Sequence, residues 1–304
     1  MNLGFVSAIL ADQSFEEVIN FASDNDFSCV EFMCWPRGKA ERRYAGVTHI
    51  DISEMNQDKA SRTLDELNNK NVSISGLGYY PNPLSPNEEE RSTAISHLKN
   101  LIKAAELLNV EVINTFIGRD WKKNLEENWI LFKEIWPPII KLAEDHGIKV
   151  AIENCPMLFS EDEWPGGKNL AHSPSIWKRM FEEIPSDSFG LNFDPSHLVW
   201  LGIDYRRAIR EFASKIFHVH AKDMAIDDDL FYQDGILGCG FRWQIPRLPG
   251  QGLIDWRVLM ADLYAVGYDF VLCIEHENQN WEGTEELVKR GFIMAKQHLA
   301  PFIA

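Results

Sequence analysis

Four apolar runs in the second half of the chain end in side chains that can hold a cation or move a proton. They read VAIENCP, GLNFDPSH, IFHVHAKD and VLCIEHEN, and the candidate residues are Glu153, Asp194, His220 and Glu275. Two glutamates, an aspartate and a histidine make a mixed oxygen and nitrogen donor set suited to Mn²⁺, Mg²⁺, Co²⁺ or Zn²⁺. The lack of sulfur donors argues against a structural zinc. One acidic residue closing a strand is ordinarily a cap or an ion-pair partner. Four brought together without a cation would cost several kcal/mol in like-charge repulsion and desolvation. The expectation is one divalent metal ion held by these four residues.

The elements that would deliver them follow a repeating order. Short β-branched runs alternate with longer stretches of helical periodicity, from Leu3–Leu10 with a helix near Ser14–Ser23 to Phe270–Glu275 with a helix near Thr284–Lys296. Ser14 with Glu17 three residues on predicts a capping box. Pro137 and Pro138 predict a kink or break in the fourth helix. Eight strand–helix units predict an α/β fold, a (β/α)8 TIM barrel in one domain over residues 1–304. An open doubly wound sheet is less consistent, because no GxGxxG follows the first strand. Long connections at about 36–57, 156–174 and 224–255 all follow strands, which places them at the C-terminal mouth where barrel active sites lie.

Other residues reach the same mouth. Lys222 shares the face of His220 and could meet a substrate oxygen, or form a solvated pair with Asp223. His218 is expected to point away from His220, as packing or outer support. Trp35 and Tyr79, with Tyr80 beside it, end strands where aromatic rings could stack on a sugar, although plain packing fits each equally well. Glu277 could join the pocket, and Glu31 could belong to a buried network. Arg242 and Arg247 could bind a carboxylate or phosphate, or face solvent.

The segments IEN, FDPSH, HVHAKD and IEHE, in that order, resemble the xylose-isomerase-like barrel superfamily of sugar phosphate isomerases and epimerases. The resemblance spans the chain and maps the family's metal ligands onto Glu153, Asp194, His220 and Glu275. It implies that Glu153 and Glu275 also move protons next to a carbonyl, while the metal stabilises an enediolate. It implies that His197, in DPSH, faces substrate or metal. RLPGQGLIDW is similar to the same region of many such proteins, and Trp243 just before it could reach over the pocket as part of a lid. Departures narrow the match. The D-tagatose 3-epimerase group carries an acidic residue and an arginine where Phe159 and Ile226 stand. The apurinic endonucleases carry histidines where the third and fourth strands end in GLGYY and NTFIG.

Bulk properties exclude several partners. A net charge of −16 repels nucleic acid and anionic membranes, and no apolar run reaches the roughly 18 residues of a membrane span. Cys29, Cys34, Cys155, Cys239 and Cys273 form no CxxC pair and read as reduced thiols of a cytoplasmic protein. The N-terminus has no signal-peptide pattern. The expected activity is a metal-dependent isomerase or epimerase of a small sugar or keto sugar, phosphorylated and 3-keto forms included. A dehydratase of the inosose dehydratase type is the alternative, and a metal-dependent hydrolase or endonuclease-like enzyme is a further one. Barrels of this kind often pair, so a homo-oligomer is left open.

Overall fold

Parallel strands whose two faces are both apolar need cover on each side, and the chain supplies it by wrapping helices around a closed ring. The computed structural model describes residues 1–38, 45–158, 167–236, 238 and 242–303. The strands are β1 (Asn2–Val6), β2 (Cys29–Met33), β3 (Ser73–Gly78), β4 (Val112–Thr115), β5 (Lys149–Glu153), β6 (Phe189–Phe193), β7 (Ile216–Ala221), β8 (Asp223–Ile226), β9 (Gln244–Arg247) and β10 (Val271–Ile274). All but β8 and β9 close one parallel barrel in the order β1-β10-β7-β6-β5-β4-β3-β2. β8 and β9 form a separate antiparallel pair within the connection after β7.

The helices are α1 (Phe15–Asp24), α2 (Gln57–Asn69), α3 (Glu88–Leu107), α4 (Leu125–Asp145), α5 (Pro174–Glu183), α6 (Pro195–Trp200), α7 (Tyr205–Glu211), α8 (Asp228–Asp234), α9 (Trp256–Ala265) and α10 (Glu285–Leu299). Ser14 caps α1 in the expected reciprocal box with Glu17. No break occurs at Pro137 and Pro138, and α4 runs unbroken from Leu125 to Asp145. Trp129, Phe132, Trp136, Ile139, Ile140 and Ala143 are all buried on it. This one continuous apolar stripe presses both halves onto the barrel and outweighs the lost backbone bonds.

Alternation along the strands sets which residues face inward. Phe5, Phe32, Leu77, Val150, Ile152, Leu191, Phe193, Val219, Leu272 and Ile274 belong to the large apolar cluster beneath the helices. Val6, Cys29, Met33, Tyr80 and Cys273 belong to a smaller cluster inside the ring. No helix among the described residues is long and apolar enough to cross a membrane.

Candidate metal centre

The inward phase carries the four strand-end residues to one place. Glu153 is the last residue of β5, and Asp194 follows β6 directly. His220 is the last inward residue of β7, and Glu275 follows β10 directly. Each offers one ligand atom, and these atoms lie within 4.8 Å of one another. Asp194 is fixed twice. Its Oδ1 accepts from the Ser196 N–H at 2.8 Å, capping α6. Asn154 clamps its backbone by donating to Asp194 O and accepting from Asp194 N–H, each at 2.8 Å. The Asn169 side chain donates to the Glu153 and Cys155 carbonyls at 2.9 and 2.7 Å and accepts from the Ile117 N–H, tying the ends of β4 and β5 together.

Two buried polar atoms of this set, Asp194 Oδ2 and His220 Nδ1, have no hydrogen-bond partner. In folded proteins at large, buried polar atoms are almost always satisfied. Both atoms are donors a cation would engage, so the residues present fit a divalent metal.

Lys222 brings a positive charge among the carboxylates. Its Nζ lies 2.5 Å from Glu275 Oε2, 3.0 Å from Asp194 Oδ2 and 3.1 Å from Glu277 Oε2. The approach to Asp194 is an ion pair without hydrogen-bond geometry. Burial opposes the ammonium, but Asp194, Glu275 and Glu277 outweigh it and hold the Lys222 pKa well above its usual value. Burial, followed by the nearby Glu275 charge, raises Glu153. Burial would raise Glu275 as well, but Lys222 and His220 hold it well below the ordinary carboxylate range. His197 Nε2 stands 3.2 Å from Lys222 Nζ and 3.5 Å from Glu153 Oε1.

A cavity of about 210 Å³ opens above these groups, lined by Glu153, His197, Lys222, Glu275 and Glu277 together with Trp35, Met33, Phe116, Trp200 and Gln244. Of the expected substrate contacts, His197, Lys222, Trp35 and Glu277 therefore line it. Tyr79 does not. It shares the outward phase of Leu77 and packs against Trp35 and His97 at 4.9 and 4.5 Å between ring centroids. Tyr80 holds the inward position and lines the cavity. Arg242 is turned to the surface, 3.1 Å from Asp234. Gln244 and Pro246 face the cavity, so alternation directs Arg247 to the other side. Trp243 is buried behind the cavity wall with Trp200 and Met224 rather than reaching over the opening.

Two further expectations are corrected. A period of two puts His218, His220 and Lys222 on the same face, and His218 Nε2 lies 3.8 Å from the Glu31 carboxylate that His220 also meets. Lys222 makes no solvated pair with Asp223. Asp223 points away and accepts from Met224 N–H, Gly250 N–H, Ile254 N–H and Trp256 Nε1–H at 2.9 to 3.1 Å. A Cβ at Gly252 would stand 2.3 Å from Asp223 Oδ1, so only glycine allows this approach. Cys29, Cys34, Cys155 and Cys273 are free thiols. Cys239 and Phe159 lie outside the described residues.

Sequence reasoning assigned no role to Cys155, whose sulfur shares a 4.8 Å neighbourhood with Glu153 and His197. Its position two residues past Glu153, in the same inward phase, was the available signal.

An eight-stranded parallel barrel with a carboxylate and histidine cluster at its C-terminal mouth defines a class of metal-capable barrel proteins. The chain belongs to the xylose isomerase-like TIM barrel family, whose model matches residues 19–298. It is 27% identical to the uncharacterized protein YfiH of Bacillus subtilis (strain 168), over 91% of this chain and 93% of that one. It is 27% identical to the inosose dehydratase of Geobacillus thermodenitrificans (strain NG80-2) over 33% of this chain and 34% of the relative. Among solved structures, the D-psicose 3-epimerase of Clostridium cellulolyticum H10 with D-tagatose superposes with a TM-score of 0.67 at 15% identity, covering 100% of this chain and 99% of that one. The IOLI protein with a bound zinc atom superposes with a TM-score of 0.68 at 16% identity, covering 99% and 96%.

Proposed function

We propose that this chain is a divalent-metal-dependent isomerase or epimerase of a small sugar or keto sugar, working by proton transfer next to a carbonyl. The observation that carries the reading is the convergence of Glu153, Asp194, His220 and Glu275 within 4.8 Å of one another, beside a cavity that Glu153 and Glu275 line. Glu153, Asp194, His220 and Glu275 would hold the cation. When bound, it would polarise the substrate carbonyl and offset negative charge developing on its oxygen.

The remaining chemistry belongs to the side chains. One of the two glutamates, Glu153 or Glu275, takes a proton from the carbon beside the carbonyl, and the other returns one from the opposite side. Return to the same carbon inverts it, and return to its neighbour isomerises the sugar. The Lys222 ammonium donates a hydrogen bond to a substrate oxygen from the cavity wall. Trp35 and Phe116 present apolar surface to the carbon skeleton and exclude water. The epimerase and inosose dehydratase similarities support this class of reaction.

The dehydratase reading is favoured by Lys222 itself, a buried ammonium able to protonate a departing hydroxyl. One experiment separates the two. Ketohexoses, ketopentoses and their phosphates are incubated with the protein and Mn²⁺ in heavy water and followed by proton NMR and ultraviolet absorbance. The isomerase reading expects a carbon-bound proton exchanged for deuterium with no water lost. An absorbing enone selects the dehydratase, and finding neither exchange nor an enone with any substrate overturns both.

A further inference from the structure

Beneath the four proposed ligands, Glu31 is fully buried inside the barrel, although a carboxylate there is costly without partners. It comes from the middle of β2, where the register against β3 shifts between Val30 and Glu31. Gly78 of β3 leaves the space it fills, since a Cβ there would stand 2.6 Å from Glu31 Oε1. One oxygen, Oε2, lies 2.7 Å from His220 Nε2. The other, Oε1, accepts from the Tyr80 hydroxyl at 2.5 Å. Asn192 Nδ2 donates to the Tyr80 oxygen at 3.2 Å and lies 2.9 Å from the same His220 nitrogen. His220 therefore has one nitrogen anchored below and the other, Nδ1, turned toward Asp194 and Glu275, 3.5 Å from Glu275 Oε2 and without a hydrogen bond.

We infer that Glu31 is a positioning residue for the metal site. It keeps the His220 proton on Nε2 and presents Nδ1 as the ligand, with Tyr80 holding the carboxylate in place. An imidazole can give a lone pair from Nδ1 only if its remaining proton sits on Nε2, and a carboxylate is the strongest acceptor for that proton. The negative charge also makes the ring a better donor to a cation. The inference rests on the proposed cation site and adds a fifth residue on which its affinity depends.

The test measures Mn²⁺ and Co²⁺ affinity calorimetrically for the wild type, Glu31→Gln, Glu31→Leu, His220→Ala and the Glu31→Gln/His220→Ala pair. Metal-free melting and near-ultraviolet circular dichroism check that each variant is folded. Glu31→Gln keeps an acceptor without the charge and is expected to lose about 10-fold in affinity. Glu31→Leu removes the acceptor and is expected to lose up to about 100-fold. In the His220→Ala background, Glu31→Gln is expected to cost nothing further, because Glu31 acts through the ring. The Co²⁺ visible spectrum of Glu31→Leu is expected to shift as the histidine ligand is lost. Wild-type affinity in both Glu31 variants, or additive losses in the pair, overturns the inference while leaving the cation site standing. A wild type that binds neither cation removes the site and the inference together.

Discussion

Lys222 Nζ stands 3.0 Å from Asp194 Oδ2, an oxygen that the proposed cation would also engage. The ammonium and the cation therefore share carboxylates, and their mutual repulsion limits how tightly metal is held. Lys222→Met is expected to raise Mn²⁺ affinity while lowering turnover by about 10²–10⁴-fold, as for loss of a positioned proton donor. Parallel calorimetry and steady-state kinetics read the two effects. Unchanged turnover would remove Lys222 from the chemistry.

The two glutamates are predicted to separate binding from proton transfer. Glu153→Gln and Glu275→Gln each keep an oxygen donor but cannot shuttle a proton. Each is expected to lose turnover by about 10²–10⁴-fold and to retain weakened Mn²⁺ binding. Heavy-water exchange on the active substrate is the direct measurement, and full exchange in both variants would refute their roles.

Asp223 anchors four donors from β8 and the segment leading into α9. Asp223→Ala leaves those N–H groups without their acceptor. The expected loss of stability is about 3 kcal/mol or more. Thermal and denaturant unfolding of the metal-free protein would show it, and wild-type stability would mean that water replaces the carboxylate without penalty.

Acidification should weaken the fold through His49. Its Nδ1 meets Ser7 Oγ at 3.0 Å and its Nε2 meets the Leu10 carbonyl at 3.1 Å. Burial lowers its pKa below the ordinary 6.5. A histidine with a depressed folded pKa binds its proton more readily when unfolded, so the unfolded chain takes up more protons as pH falls. Stability is then fully present above about pH 6.5 and is lost below it, by at most about 1.4 kcal/mol per pH unit. His97 and His172 are lowered by burial and act in the same direction. His49→Gln should flatten the stability profile below about pH 6.5. An unchanged slope would show that this ring is not the sensor.

How much of the site could be read from the chain depended on position within each strand. Glu153, Asp194, His220 and Glu275 were legible because each closes or follows an apolar run, where an ionisable residue breaks the pattern. Glu31 was legible only as a member of a buried network, because a carboxylate in mid-strand carries no sign of what faces it across the ring. Tyr79 and Tyr80 were confused because two adjacent aromatics at a strand end do not reveal which one holds the inward phase. His218 was misassigned by phase alone.

The chain's own pattern determined the barrel and the identity of the four strand-end groups, because alternation of strand and helix and the inward period of two are local properties. The tertiary structure decided what those groups meet. Glu31 against His220 and Lys222 against Glu275 are contacts between residues 189 and 53 positions apart. Such pairings arise only when the ring closes, since strand register and barrel closure, and not neighbouring residues, bring those side chains together.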